Sequence, residues 1–160
     1  MTTTIETSPA TSTPQLFQVA ASGDWQGRLR TDIETRGFTF TVAEPEGLGG
    51  DDTGPNPLEY VLGGFQGCIA VVVEVVARER GITLTDLRTH VSGTIDLRGF
   101  GGVHGVSPSF LAVEGSVRLF ADIDEPTFDA LVAEVERRCP LYNLFRDAGV
   151  TPDIRWSLNV

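Results

Sequence analysis

Apolar positions along the chain switch between two periods, and the switches mark its elements. Phe17, Val19 and Ala21 alternate with polar neighbours, as do Leu29, Thr31 and Ile33, and the two runs are separated by Gly23-Asp24. A period of two predicts half-buried strands, with Arg28 and Arg30 on the polar face of the second and a turn near Gly23-Asp24. Phe38, Phe40 and Val42 continue the pattern until Pro45. From Glu46 to Pro57 the chain is mostly Gly, Asp and Pro and must be a loop, and Asn56-Pro57 gives the cap and first-turn signal of a helix running to about Arg80 before Gly81. Alternation returns at Val91, Gly93, Ile95 and Leu97, then at Leu111, Val113, Val117 and Leu119 beyond a Gly-rich stretch. Asp124 and Pro126 open a helix carrying Phe128, Leu131, Val132 and Val135, expected to end near Cys139. Pro140 starts a short third helix to Ala148, and Ile154, Trp156 and Leu158 form a last strand. The order βββ-α-ββ-α-α-β predicts an α+β fold, a mostly antiparallel sheet with helices packed on it.

Length fits this picture. A chain of 160 residues forms one domain and buries roughly two thirds of its unfolded surface. Residues 1–14, rich in Thr, Ser and Pro with neither apolar anchors nor a basic residue, read as a disordered tail, leaving 15–160 as the domain. The most apolar run, Val61–Val76, is interrupted by Gln66 and Glu74 and diluted by three glycines. It reads as a buried core helix rather than one of the ~20-residue apolar spans a membrane needs.

Charge narrows the function classes. A net charge of −10 argues against binding a nucleic-acid backbone. All 12 basic residues are arginine, so catalysis through a lysine Schiff base and the lysine-dependent phosphate loop are excluded. His90 lies on a strand's polar face and His104 in a Gly-rich loop, without the repeated His/Cys spacing of a zinc site. Gly99-Phe100-Gly101-Gly102-Val103 has no helix after it and no βαβ unit around it, so it reads as a mobile loop walling a site rather than a dinucleotide fingerprint. Trp25, Trp156, Phe65 and Tyr142 read first as core packing.

Two cysteines remain. With no apolar secretory segment ahead of them they point to a reducing cytoplasm, where a cysteine pair is more often catalytic than structural. Cys68 lies about three turns inside the long helix and gains little from its dipole, so an activating charge has to come from elsewhere, most simply an arginine. Cys139, before Pro140 and after Arg137-Arg138, stands at the positive end of a short helix, a setting that favours thiolate. The plainer reading is two buried apolar residues. Glu59 and Cys68 share a helix but are about 14 Å apart along it and nearly half a turn out of phase, so they do not touch.

The segment Asp51-Asp52-Thr53-Gly54-Pro55-Asn56-Pro57-Leu58-Glu59 leading to Cys68, with Cys139-Pro140 opening a later helix, resembles the OsmC/Ohr family of osmotically inducible and organic hydroperoxide resistance proteins. Leu48-Gly49-Gly50 and Gly99-Phe100-Gly101-Gly102 are similar to its OsmC-like branch. The resemblance covers about residues 15–160. It implies an intertwined homodimer with two interfacial sites, and a cofactor-free thiol peroxidase for organic hydroperoxides or H2O2. Cys68 then matches the peroxidatic cysteine and Cys139 the resolving one. A dithiol reductant, in one branch a lipoylated protein, completes the cycle. Arg28 best matches the family's activating arginine, with Arg30 second. The family's partner glutamate follows Asn-Pro directly, whereas here Leu58 intervenes and Glu59 comes one position later, about 100° around the helix. That departure keeps two alternatives open: a dimeric binding protein holding an apolar small molecule without peroxide turnover, and a stress-related structural dimer without a site.

Overall fold

The computed structural model describes residues 13–160, so the expected tail falls almost wholly outside the described residues. Two three-stranded sheets and four helices follow in the order β1 (Ser22–Gly27), β2 (Arg30–Thr35), β3 (Phe38–Ala43), α1 (Pro57–Glu79), β4 (Leu84–Ile95), α2 (Leu97–Phe100), β5 (Phe110–Ala121), α3 (Glu125–Arg138), α4 (Pro140–Asp147) and β6 (Asp153–Leu158). The α+β class holds. The single sheet resolves into two, an antiparallel β1-β2-β3 meander and β4-β5-β6, in which β5 and β6 run parallel. The parallel pair follows from connectivity: α3 and α4 lie between β5 and β6, and a crossover through helices returns the chain in the same direction.

Several boundaries move. Residues 13–21 form no strand; Gly23-Asp24 lies inside β1, and the turn falls at Arg28-Leu29 instead. Both turn residues adopt left-handed φ, 47° and 58°, the geometry of a two-residue hairpin whose twist suits antiparallel strands but which side chains other than Gly and Asn enter at some cost. Arg28 is therefore a turn residue and not a β2 residue. Leu97, expected at a strand end, belongs to the one-turn helix α2 capped by Asp96, so the Gly-rich stretch after it is partly helical.

The core lies between α1, α3 and the inner face of β4-β5-β6. Phe65, Ile69, Val73, Val76 and Ala77 of α1 meet Val91, Val113, Val117 and Leu119 of the sheet and Leu131 and Val135 of α3. This stripe recurs at three- and four-residue intervals, the face an amphipathic helix buries. α1 is long and apolar enough to cross a bilayer by length and composition alone, yet this stripe is the centre of the core. Its opposite side is not covered: Val71 is 62% exposed, and open space surrounds Gly63 and Gly67. The expected core helix is thus buried along one face and open on the other. The β1-β2-β3 sheet carries exposed Trp25 (78%) and Phe38 (64%), so Trp25 is not a core residue. That sheet joins the rest through β3, where the Tyr60 hydroxyl donates to Thr41 O (2.8 Å), Ala43 N donates to Pro55 O (3.1 Å) and the Phe40 and Tyr60 rings stand 4.9 Å apart.

Candidate functional site

Local sequence signals place both cysteines. Asn56 caps α1 and Pro57 occupies its first turn. The Glu59 N–H donates to Asn56 Oδ1 (2.9 Å), and the Asn56 N–H donates to Glu59 Oε2 (2.8 Å), a reciprocal capping box. Eleven residues into the helix Cys68 stands on a shoulder of the buried stripe, half-buried and packed against the core. Cys139 ends α3 and precedes α4, with φ −69° and ψ 114°. Its extended backbone breaks the helix so that Pro140, which lacks an N–H, begins a new one at another angle.

The fold brings these distant positions together. Cys139 Sγ donates to Cys68 Sγ across 3.4 Å, and both are free thiols. A disulfide needs about 2.05 Å, so the sulfurs touch and closing requires an approach of about 1.4 Å. Cys139 is fully buried, leaving Cys68 the more accessible of the two. Around them Phe65 lies 5.2 Å from Phe145 and 6.3 Å from Tyr142, ring centroid to centroid. Phe110 packs edge-on against Phe145 at 5.6 Å. Phe65 and Tyr142 are core residues as expected.

Burial, before all else, pushes the Cys139 thiol up to about 11; backbone N–H groups of Tyr142 and Leu141 pull the other way, and the Cys68 thiol adds to the rise. Cys139 is therefore protonated at neutral pH, and the expected activation at a helix start does not prevail. The upstream arginines are already committed. Arg137 pairs with Glu134 (2.7 Å), and Arg138 spans to Glu79 of α1 (2.5 and 3.0 Å). Each neutralises a carboxylate rather than facing the sulfur, and desolvation of a buried thiol outweighs what a short helix dipole supplies.

Among the described residues none of the other expected site residues bonds to either sulfur. Glu59 is held in the capping box, and among the described residues it forms no ion pair with Arg28 or Arg30. Arg28 sits at the β1-β2 turn with no ion-pair partner among the described residues. Arg30 forks onto Asp32, with Nε at 3.1 Å and Nη2 at 3.0 and 3.2 Å, and Asp32 also accepts from the Thr41 hydroxyl (2.9 Å). Nearby Asp51 is held below the usual carboxylate range, first by the Thr53 hydroxyl and further by the charges of Arg30 and Arg28. The Arg30–Asp32 fork was not anticipated, although an i,i+2 pair on one strand face is the signal for it. Two other polar links join residues too far apart in sequence to be read from it: Thr89 Oγ1 donates to Gln66 Oε1 (3.1 Å) and Trp156 Nε1 to Glu136 Oε1 (2.9 Å). His90 and His104 are exposed.

Residues 49–155 match the family model of the OsmC-like proteins. No curated protein matches the chain in sequence. Among solved structures, an OsmC-like protein of Mycoplasma pneumoniae is 17% identical with a TM-score of 0.76, the match covering 89% of this chain and 97% of that one. An organic hydroperoxide resistance protein OsmC of Legionella pneumophila, also described as a predicted redox protein, is 22% identical with a TM-score of 0.64, over 92% of this chain and 100% of that one. The organic hydroperoxide resistance protein OhrB of Bacillus subtilis is 22% identical with a TM-score of 0.58, over 91% and 100%. Identities this low establish the shared α+β fold, and the family match over most of the sequence establishes kinship: this chain belongs to the OsmC-like protein family.

Proposed function

We propose that this protein is a thiol-dependent peroxidase that reduces organic hydroperoxides or H2O2 as a homodimer. The observation that carries the reading is the 3.4 Å contact between a half-buried Cys68 and a fully buried Cys139. Two thiols that differ in access divide the chemistry naturally. The Cys68 thiolate attacks the distal peroxide oxygen and the O–O bond breaks, leaving sulfenic acid on Cys68 and releasing an alcoholate that takes a proton to become alcohol (water, from H2O2). Cys139 sulfur then attacks the sulfenic sulfur; its proton leaves with the departing hydroxide as water, and a disulfide remains. This is the reversible part of the cysteine oxidation ladder. A dithiol reductant, of which a lipoylated protein is one kind, restores both thiols and is itself oxidised to a cyclic disulfide.

A second copy supplies what this chain lacks near Cys68. The uncovered side of α1 with Gly63, Gly67 and Val71, and the exposed Trp25 and Phe38, are apolar surfaces suited to another protomer. Arg28, projecting from a strained turn without an ion-pair partner among the described residues, is the arginine we assign to the partner's Cys68, with Arg30 tied to Asp32 as its neighbour. Neighbours described as organic hydroperoxide resistance proteins support the substrate class.

Stopped-flow oxidation of the reduced protein by cumene hydroperoxide and by H2O2, with the bridge located by mass spectrometry, tests this. Rapid loss of two thiols into a Cys68–Cys139 disulfide is expected, with Cys68→Ser inert and Cys139→Ser halting at a trappable sulfenic acid. Oxidation no faster than that of a free thiol sinks the proposal. That outcome moves the assignment to the second reading, a dimeric binder of apolar small molecules, which the capture of Glu59 in a capping box and of Arg30 by Asp32 favours. On that reading Cys68→Ser keeps full ligand affinity.

A further inference from the structure

Cys139 is the single residue between α3 and α4, closing one and opening the other, and a single side chain grips the junction from the α4 side. The Asn143 Nδ2 group donates to Cys139 O at 2.7 Å, to Arg137 O at 3.1 Å and to Glu136 O at 3.3 Å. The Asn143 backbone N–H donates to the same Cys139 carbonyl at 3.1 Å. Glu136 and Arg137 lie in the last turn of α3, whose carbonyls have no intrahelical donors, and Cys139 N still donates to Val135 O at 2.9 Å. One carboxamide thus caps the end of α3 while holding the cysteine between the helices. No apolar or hydroxyl side chain of similar size offers two N–H donors in one plane. Arg138 to Glu79 fixes the same α3 terminus to α1, the helix of Cys68, so the junction is anchored on both sides of the thiol pair.

We infer that Asn143 is a positioning residue for disulfide closure: it sets the Cys139 backbone so that the buried sulfur stays in contact with Cys68. Closure within a protein is fast in proportion to how much of the time the reacting atoms hold the required geometry. Here the sulfurs have only about 1.4 Å left to travel. Releasing the junction lets Cys139 swing with α4 and lowers the fraction of time it is within reach. The inference deepens the peroxidase reading in that the resolving step rests on it, while the closure itself is measurable without peroxide.

The test uses glutathione disulfide. Cys68 thiolate displaces one glutathione to form a mixed disulfide, and Cys139 then displaces the second, leaving the internal bridge and two glutathiones. The ratio of the two rates, and the equilibrium between bridge and glutathione, give the effective concentration of Cys139 at Cys68. Asn143→Ala and the isosteric Asn143→Asp, which has no donor, are expected to lower the effective concentration and closure rate about tenfold, with the first displacement at Cys68 unchanged. Asn143→Gln, which restores a donating amide, recovers part of the loss. Thermal melts identify variants that fold; if alanine does not, Asn143→Ser, with one donor, takes its place and is expected to fall between wild type and Asp. Closure in Asn143→Asp within twofold of wild type, or an equal loss in the Gln and Asp variants, overturns the inference. Inertness of wild-type Cys68 to hydroperoxide would defeat the peroxidase reading and leave this measurement standing.

Discussion

Oxidising Cys68 and Cys139 to a disulfide changes stability by an amount that follows from the fold. The cysteines are 71 residues apart in sequence and in contact in space, so the bridge closes a long loop in the unfolded chain. The chain-entropy relation gives about 4.4 kcal/mol for a loop of that length. Against it stands the strain of drawing the sulfurs together by about 1.4 Å. That strain is small if side-chain rotation at half-buried Cys68 supplies the movement, and large if the α3-α4 junction has to shift. The net gain is therefore expected at about 3–4 kcal/mol, a rise in the urea midpoint of about 2 M and in Tm of about 10 °C. Urea unfolding of reduced and quantitatively oxidised protein at one protein concentration, with the bridge mapped beforehand, measures it. A gain below about 1 kcal/mol would refute the reasoning: closure would then demand a rearrangement comparable in cost to the entropy removed, and the sulfurs would not be poised to join.

Three further outcomes are expected. The Cys139 pKa, raised to about 11 in the folded state, makes the folded chain hold its proton where the unfolded chain, near 8.5, has lost it. Stability of the reduced protein is then full below about pH 8.5 and falls by up to about 3 kcal/mol as pH rises through 11; urea midpoints at pH 8 and 10.5 should diverge in wild type by more than in Cys139→Ala. Glu59→Ala removes half of the capping box and should cost about 1 kcal/mol without altering thiol oxidation, whereas a tenfold loss of rate at unchanged stability would return Glu59 to the reacting centre. Gly93→Ala places a Cβ 2.5 Å from Phe110 Cε1, and the ring it displaces supports Phe145; overpacking should cost about 1–3 kcal/mol, and a neutral melting curve would contradict it.

Helices were the legible part of this sequence because their ends are written in short-range chemistry. Asn56-Pro57, Asp124 with Pro126, and Cys139-Pro140 each mark a start that the structure keeps. Strands were read well where a covered face imposed alternation, as at Val113, Val117 and Leu119. They were misread where it did not. β1, Ser22–Gly27, is polar and exposed, so no alternation announces it, while the alternating Phe17, Val19 and Ala21 form no strand pairing among the described residues. The first half of β4 stayed hidden because a register shift between Leu84 and Asp86 puts Leu84 and Leu87 out of period. At the site, helix settings identified both cysteines, but their contact is tertiary and rested on family resemblance rather than spacing. The electrostatic setting of Cys139 is not legible in the sequence, because the burial of its sulfur and the pairing of Arg138 with Glu79, 59 residues away, depend on contacts that local sequence does not encode.

The unequal access of the two thiols turns the protein into its own gauge of motion. A small alkylating reagent applied to the reduced, native chain meets Cys68 first, while Cys139, fully buried, is reached only when the packing around the α3-α4 junction opens. The slow second labelling event, timed by mass, therefore counts openings of that one corner of the molecule, as amide exchange does for backbone hydrogens, with a single chemically defined reporter and no introduced probe.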